Sequence, residues 1–170
     1  MKYLACAAVL LMAMGGIAPG TAASSQDRRI VPGHSIGRFS LGEDIASLVA
    51  TLGLLYSGED LPNNNFTGYY WPFKRLGAVA ERKTNKIVAL AISLDDTYMT
   101  DGGIGPGARF DTVRRIYGPE DAVNQDQTGD VLVYETLGIA FVVGDVGSLE
   151  GRVSAVFVFL PGHSHDVFPP

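Results

Sequence analysis

The chain has 170 residues, with 13 Lys and Arg against 18 Asp and Glu, which gives a formal net charge of −5 at pH 7. This acidic balance argues against nucleic acid and anionic membranes as partners, because binding to phosphate backbones requires a basic surface. The length is typical of a single domain, and a composition of 46% hydrophobic residues is enough to bury a sizeable core.

Residues 1–23 have the pattern of a signal peptide. Lys2 is followed by an apolar stretch, and the small residues at 21–23 suit cleavage. The apolar stretch is short for a transmembrane helix. We therefore expect a periplasmic or secreted protein with no membrane insertion after cleavage. The mature chain, residues 24–170, would contain no cysteine, because the single cysteine, Cys6, leaves with the leader.

The first predicted helix spans residues 44–52. Its apolar residues recur at the spacing of one helical face, from Ile45 to Leu52. Gly53 follows at the position where a helix commonly ends. The segments after it are predicted as a weak strand at 54–56, a loop at 58–68 and strands at 69–73, 76–82 and 86–94.

The second predicted helix, over residues 110–117, repeats this design. Phe110, Val113 and Tyr117 belong to its apolar stripe, and Gly118 ends it. The strands predicted after it are 131–136, 139–143 and 152–160. Residues 87–94 and 153–160 are apolar on both faces, which indicates central strands or strands at a join between two halves.

Three blocks of sequence recur in the same order along the chain. Residues 41–53 align with 106–118, 76–80 with 137–141, and 86–92 with 152–158. We therefore predict two tandem repeats, about residues 30–98 and 99–162, each made of one helix and three strands, followed by a C-terminal tail. Helices followed by hairpins favour the α+β class, here one antiparallel sheet with both helices packed on one face.

The segments that lead into the two helices resemble a known envelope-domain pattern. Ile36-Gly37-Arg38-Phe39-Ser40-Leu41-Gly42 and Thr100-Asp101-Gly102-Gly103-Ile104-Gly105-Pro106-Gly107 each precede a helix that ends in glycine. This pattern is similar to the repeat of the β-lactamase-inhibitory protein fold and to the small lipoprotein of the outer-membrane β-barrel assembly machinery. The resemblance implies an envelope compartment, a helix-plus-strands architecture and binding to other proteins.

Two departures from these families bear on the interpretation. The inhibitory protein's domains carry disulfides, which the predicted mature chain cannot form. The assembly lipoprotein has a lipidated cysteine and one repeat unit, whereas this chain has two units and no lipid site. No binding residue is therefore carried over from either family.

The aromatic run at 69–73 is the strongest candidate for a binding surface. On a strand, Tyr69, Trp71 and Phe73 would share one face and Tyr70 would lie on the other. Tyr and Trp dominate protein-interface energetics, although Trp71 and Phe73 are also suited to a core position. The predicted partner-binding residues are Glu59, Asp60, Tyr69, Tyr70, Trp71 and Phe73.

Other motifs favour structural interpretations. The glycine-rich segment 102–107 lacks the Lys of a phosphate-binding loop and indicates instead a tight turn before the helix. Asp95, Asp96 and Asp101 do not fit a calcium-loop spacing, and His163 and His165 fall in the predicted tail, so whether either set binds a metal stays open. The sequence contains no recognisable catalytic set, and we predict neither enzymatic activity nor a cofactor.

These observations favour a non-enzymatic protein-binding module. The expected partner is another envelope or secreted protein, which this chain would inhibit or neutralise in the manner of an inhibitor or a toxin-immunity protein. An envelope-assembly or cell-wall-associated structural module is the alternative from a different functional class. A small-ligand or metal binder is the third possibility.

Overall fold

The computed structural model describes residues 28–61, 65–126, 129–144 and 147–168. The predicted signal peptide, residues 1–23, lies outside the described residues. Two sheets and three short α-helices make up the described regular structure, apart from two single 3₁₀ turns. None of the helices in this part of the chain is long and apolar enough to cross a membrane.

The strands and helices follow one another in a simple order. The strands are β1 (Arg29–Val31), β2 (Ser35–Ile36), β3 (Phe39–Ser40), β4 (Ser57–Asp60), β5 (Phe66–Trp71), β6 (Leu76–Glu81), β7 (Ile87–Ser93), β8 (Met99–Thr100), β9 (Ala122–Asp126), β10 (Gly129–Tyr134), β11 (Ile139–Gly144) and β12 (Val153–Phe159). The helices are α1 (Ile45–Leu52), α2 (Phe110–Tyr117) and α3 (Ser164–Val167).

The larger sheet has eight strands in the order β4-β5-β6-β7-β12-β11-β10-β9, and every neighbouring pair is antiparallel. The smaller sheet has the order β3-β2-β1-β8, and its β1–β8 pair is parallel. The predicted α+β class and the antiparallel pairing of the large sheet are therefore confirmed. The prediction of a single sheet is wrong, because the short strands before α1 pair with one another and with β8 in a second sheet. As the apolar pattern predicts, β7 and β12 are neighbours at the centre of the large sheet.

Helices α1 and α2 begin and end close to the predicted residues. The carboxylate of Asp44 accepts a hydrogen bond from the Ala46 N–H at 2.9 Å and so caps the start of α1. Gly53 and Gly118 end the two helices with φ angles of 89° and 81°, a region that glycine occupies without steric cost. Each of these glycines donates its N–H to a carbonyl in the last helical turn.

The strand predictions are correct near the centre of the sheet and wrong near its edges. The segment 54–56 is not a strand, and the predicted loop at 58–68 contains most of β4 and the start of β5. The predicted strand 69–73 ends at Trp71, because Pro72 has no N–H for the ladder and begins a 3₁₀ turn. Strand β9, which is polar and lies at the edge, was not predicted. With β4 and β9 included, four strands of the large sheet, rather than three, follow each of α1 and α2.

The main core lies between the large sheet and the layer formed by α1, α2 and the small sheet. Leu48 of α1 and Val113 of α2 are fully buried in it, against Leu90 and Phe141 of the large sheet. The other face of the sheet carries a second apolar cluster around Phe159, with Val131, Val133, Ala140 and Val142.

The predicted C-terminal tail packs on this second face. Val167 of α3 and Phe168 lie against the second cluster. The Phe168 ring centroid is 5.1 Å from that of Phe157 and 6.2 Å from that of Phe159, in edge-to-face geometry. Such aromatic pairs add to the free energy gained by burial, so the C-terminal segment is part of the fold.

The glycine-rich segment 102–107 leads the chain into α2. An ideal Cβ at Gly105 would lie 1.9 Å from the carbonyl oxygen of Tyr98, so the backbone approaches too closely for any side chain. Gly107 has a φ of 91° and donates its N–H to the Val153 carbonyl. Gly105 therefore serves close backbone packing, whereas Gly107 provides a positive φ and its N–H already has a protein acceptor.

We predict that Gly105→Ala lowers the free energy of unfolding by about 2–3 kcal/mol or more, because the clash is with backbone that cannot move freely. Urea denaturation followed by circular dichroism measures this change. The matched control is Gly58→Ala on the exposed edge strand, where the new Cβ meets nothing closer than 3.8 Å. A Gly105→Ala protein as stable as the Gly58→Ala control would contradict the proposed close approach.

Candidate partner-binding groove

An apolar groove lies on the face of the large sheet opposite α1 and α2, over strands β4 to β7 and β12. Its volume is about 480 Å³, which is within the range of ligand-binding clefts. Its lining includes Ser57, Glu59, Leu61, Gly68, Tyr70, Arg75, Gly77, Val79, Ala89, Ala91, Ser93, Ala155 and Phe157. This surface is referred to below as the groove.

The groove results from one row of side chains across five strands. The strand register aligns, in order, Ser57, Tyr70, Gly77, Ala91 and Phe157. Paired residues on neighbouring strands point to the same face of a sheet, so two large rings stand on either side of two small residues. Three strand spacings separate Tyr70 from Phe157, which makes the groove about 14 Å wide at its floor.

The two walls differ in how firmly they are held. Phe157 is half-buried, and the Phe168 ring packs against it in edge-to-face geometry. Tyr70 is 42% exposed and lies on β5, one strand from the edge of the sheet. The groove therefore has one fixed aromatic wall and one solvent-exposed aromatic wall whose ring a partner would cover.

Two charged side chains stand at the rim. Glu59 is exposed on the edge strand β4 and, within the described residues, forms no salt bridge. Arg75 follows the 3₁₀ turn and donates from Nη1 to the Leu94 carbonyl. The apolar floor thus lies between a carboxylate and a guanidinium, and a partner that covered the groove would meet both charges.

The structure separates the predicted partner-binding residues into three locations. Glu59 and Tyr70 face the groove, whereas Asp60, Tyr69 and Trp71 fall on the helix side of the sheet by strand alternation. Phe73 lies beyond the end of β5 and is 83% exposed. The prediction that Phe73 shares a face with Tyr69 and Trp71 is wrong, because the strand ends before it.

Trp71 is a core residue. Only 1% of it is exposed, and its indole N–H donates to the Gly53 carbonyl at 2.9 Å. Its ring lies 5.3 Å from Tyr56 and 6.2 Å from Tyr69, measured between centroids. The predicted partner contact by Trp71 is therefore corrected to the core alternative.

Tyr69 and Asp60 also have structural partners. Burial raises the pKa of the Tyr69 phenol, and the neighbouring Tyr56 and Asp60 raise this pKa further, although Arg82 lowers it. The phenol therefore stays neutral at physiological pH. The Asp60 carboxylate pairs with Arg82 at 3.1 Å and accepts a hydrogen bond from the Thr67 hydroxyl at 2.9 Å.

Four of the five side chains considered as metal ligands, all except Asp96, have protein partners in the described residues. Asp95 accepts hydrogen bonds from the N–H and hydroxyl of Thr97, and Asp101 pairs with Arg29. His163 and His165 both approach Asp166, at 2.9 Å and 3.4 Å. Within the described ranges, no group of three or more His, Cys, Asp or Glu side chains could hold a metal ion.

The floor and the far wall of the groove were not predicted from the sequence. Gly77 and Ala91 carry no chemical signal alone, and Phe157 lies far from the aromatic run in sequence. The one available signal was the alternation of small residues in β7, where Ala89, Ala91 and Ser93 occupy one face. Such short side chains leave this face of the central strand shallow between the rings of Tyr70 and Phe157.

Comparison with known proteins finds distant structural similarity only. No protein-family model and no curated protein matches the chain. A DUF4309 family protein from Bacillus subtilis is 14% identical with a TM-score of 0.42, covering 75% of this chain and 88% of that one. A cysteine-rich secretory protein from Staphylococcus aureus is 16% identical with a TM-score of 0.42, covering 79% of this chain and 49% of that one. This chain thus spans about half the length of the staphylococcal protein.

We predict opposite effects for two aromatic truncations in this region. Trp71→Ala should lower the free energy of unfolding by about 3–5 kcal/mol, because it empties a fully buried site and leaves the Gly53 carbonyl unpaired. Phe73→Ala should change it by less than about 0.5 kcal/mol, since the ring is mostly in solvent. Urea denaturation of both variants tests this pair, and a mild Trp71→Ala effect would overturn the core role.

Proposed function

We propose that the protein is a non-enzymatic binding module of the periplasm or the extracellular space that inhibits or neutralises another envelope or secreted protein. The observation that supports this role best is the groove, an apolar surface with an exposed aromatic wall on the face of the large sheet opposite α1 and α2. Exposed apolar surfaces rimmed by polar residues commonly mark interaction sites. The same role is implied by the resemblance of residues 36–53 and 100–119 to inhibitor repeats.

The groove favours an extended partner segment with one apolar side chain. That side chain would lie over Gly77 and Ala91, between the rings of Tyr70 and Phe157. Tyr70 is then the expected hot spot, since an exposed tyrosine loses little conformational freedom when a partner covers it. Glu59 at the rim, together with the net charge of −5, favours a basic residue next to the apolar one.

The proposal includes two tandem units, about residues 30–98 and 99–162, joined through β7 and β12. Equivalent hydrogen bonds support it. The Trp71 indole donates to the Gly53 carbonyl, and the Tyr134 hydroxyl donates to the Gly118 carbonyl, so an aromatic residue at the end of a strand holds each helix terminus. Likewise, the Gly42 N–H donates to the carbonyl of Ile87, the first residue of β7, and the Gly107 N–H donates to the carbonyl of Val153, the first residue of β12. Each unit then contributes one helix and four strands of the large sheet.

If the two units are equivalent, removing either aromatic donor should cost stability. We predict that Tyr134→Phe lowers the free energy of unfolding by about 1 kcal/mol, because the Gly118 carbonyl loses its partner while the ring remains. Trp71→Phe should cost at least as much, since it also loses ring area. Tyr70→Phe, which removes a hydroxyl from the exposed wall, is the control and should be close to neutral. Urea denaturation that shows Tyr134→Phe to be as neutral as Tyr70→Phe would contradict the equivalence.

The binding role is tested by affinity capture with tagged protein from envelope extract at low salt. We predict that wild type and Phe73→Ala retain a stoichiometric partner, whereas Tyr70→Ala weakens its binding about tenfold or more. Both substitutions remove an exposed aromatic ring, and melting temperatures establish that both variants stay folded. Loss of the partner with Phe73→Ala and not with Tyr70→Ala would place binding outside the groove.

The two alternative functions predict different experimental results. An envelope-assembly module predicts a constitutive complex and a permeability defect on deletion of the gene. A small-ligand binder predicts that native mass spectrometry of the purified protein reveals a bound molecule, which Ala91→Phe would displace by filling the groove. Recovery of no stoichiometric protein partner at high protein concentration would overturn the leading proposal.

A further inference from the structure

A second concavity lies on the other side of the turn at residues 72–75, next to the end of α1. Its volume is about 630 Å³. Four of the chain's 13 Lys and Arg residues line it, and they come from three separate segments: Arg28, Arg38, and the neighbouring pair Lys74 and Arg75. This cavity, defined by those four cations, is referred to below as the basic pocket.

The cations of the basic pocket outnumber the carboxylates in its lining. Only Asp95 and Asp96 contribute negative charge. Within the described residues, neither carboxylate forms a salt bridge with any of the four cations, and Asp95 accepts instead from the N–H and hydroxyl of Thr97. The lining of the basic pocket therefore carries two more positive than negative charges, although the protein as a whole is acidic. The resulting positive potential attracts an anion.

The backbone beside the basic pocket adopts an uncommon conformation. Arg75 and Leu94 have φ angles of 52° and 53°, and the described chain has only one other non-glycine residue with positive φ, Asn85. Asparagine tolerates this region, whereas arginine and leucine occupy it at a cost. The strain is held in place because the Ser93 N–H donates to the Arg75 carbonyl and Arg75 Nη1 donates to the Leu94 carbonyl.

The turn at 72–75 presents Lys74 to the cavity and keeps Phe73 in solvent, where 83% of its surface is exposed. Strained non-glycine residues that the surrounding structure holds in place are concentrated at ligand-binding sites. Because Arg75 donates a hydrogen bond to the Leu94 carbonyl, its role is to position the turn. Within the described residues, Arg38 and Lys74 form no salt bridge with a carboxylate of the protein.

We propose that the basic pocket binds an organic phosphate, with Arg38 and Lys74 contacting the phosphate oxygens and Phe73 covering the apolar part of the ligand. Cations approach this cavity from three segments of the chain. A tetrahedral phosphate offers three oxygens in different directions, whereas a carboxylate offers two in one plane. An exposed phenylalanine beside the cations suits a ligand with an apolar group next to its phosphate.

The test is isothermal titration calorimetry of the purified protein with phenyl phosphate at low ionic strength. The double variant Arg38→Gln/Lys74→Gln should bind at least about tenfold more weakly, because two charge-assisted hydrogen bonds are removed. The control, Lys83→Gln/Arg115→Gln, makes the same change in net charge at exposed positions outside the pocket. An equal loss of affinity in both double variants would overturn the site.

Two further titrations test whether phosphate is preferred to carboxylate and whether binding occurs in the basic pocket. Benzoate, which replaces the phosphate with a carboxylate, should bind more weakly than phenyl phosphate, and equal affinity would overturn the preference for phosphate. Tyr70→Ala should bind phenyl phosphate as wild type does, because Tyr70 lies in the groove. A loss of phenyl phosphate binding in this variant would overturn the assignment to the basic pocket. The phosphate proposal can therefore fail without any effect on the proposal that the groove binds a protein partner.

The phosphate group could belong to a soluble ester or to a lipid headgroup. Sedimentation with vesicles of phosphatidylglycerol and phosphatidylcholine distinguishes these sources. Binding to the vesicles that the Arg38→Gln/Lys74→Gln variant loses, and the control variant keeps, supports a lipid headgroup. Binding of phenyl phosphate without vesicle binding supports a soluble ester, and failure of both probes overturns the proposal.

Discussion

The antiparallel pairing of β7 with β12 is the interaction on which the rest of the structure depends. It joins the strands that follow α1 to the strands that follow α2 in one continuous sheet. On the helix side it sets Leu90 against Val158, both fully buried in the core. On the other side it sets Ala91 against Phe157 and so forms the floor and far wall of the groove. Without this pairing each half would expose a wide apolar edge, and the groove would lack a wall.

The two faces of the sheet have different roles because their side chains differ in size. The helix side carries large residues, such as Trp71 and Phe141, which fill the space beneath α1 and α2. The opposite face is filled around Phe159 and is shallow over β6 and β7, where Gly77 and Ala91 occupy the row between two rings. A well-packed helix side keeps the sheet rigid, and a rigid sheet holds an apolar groove open at little cost on binding.

The turn at residues 72–75 separates the two candidate sites. Pro72 ends β5 and directs the chain away from the sheet, so Phe73 and Lys74 lie beside the basic pocket while Tyr70 remains on the groove. Arg75 lines both surfaces and is fixed by its bond to Leu94. An apolar groove and a cationic pocket therefore lie on opposite sides of one short segment, and substitutions such as Tyr70→Ala and Lys74→Gln can address them independently.

The sequence by itself determined the two helices and the central strands, because a 3.6-residue period with a terminal glycine, and runs apolar on both faces, are local signals. It also singled out Glu59 and Tyr70, which the structure places at the rim and on one wall of the groove. Only the tertiary structure decided that Trp71 is buried, that Phe73 leaves the strand, and that the polar edge strands β4 and β9 exist. The groove required pairing between strands distant in sequence, and alternation within one strand does not reveal which residues its neighbours place beside it.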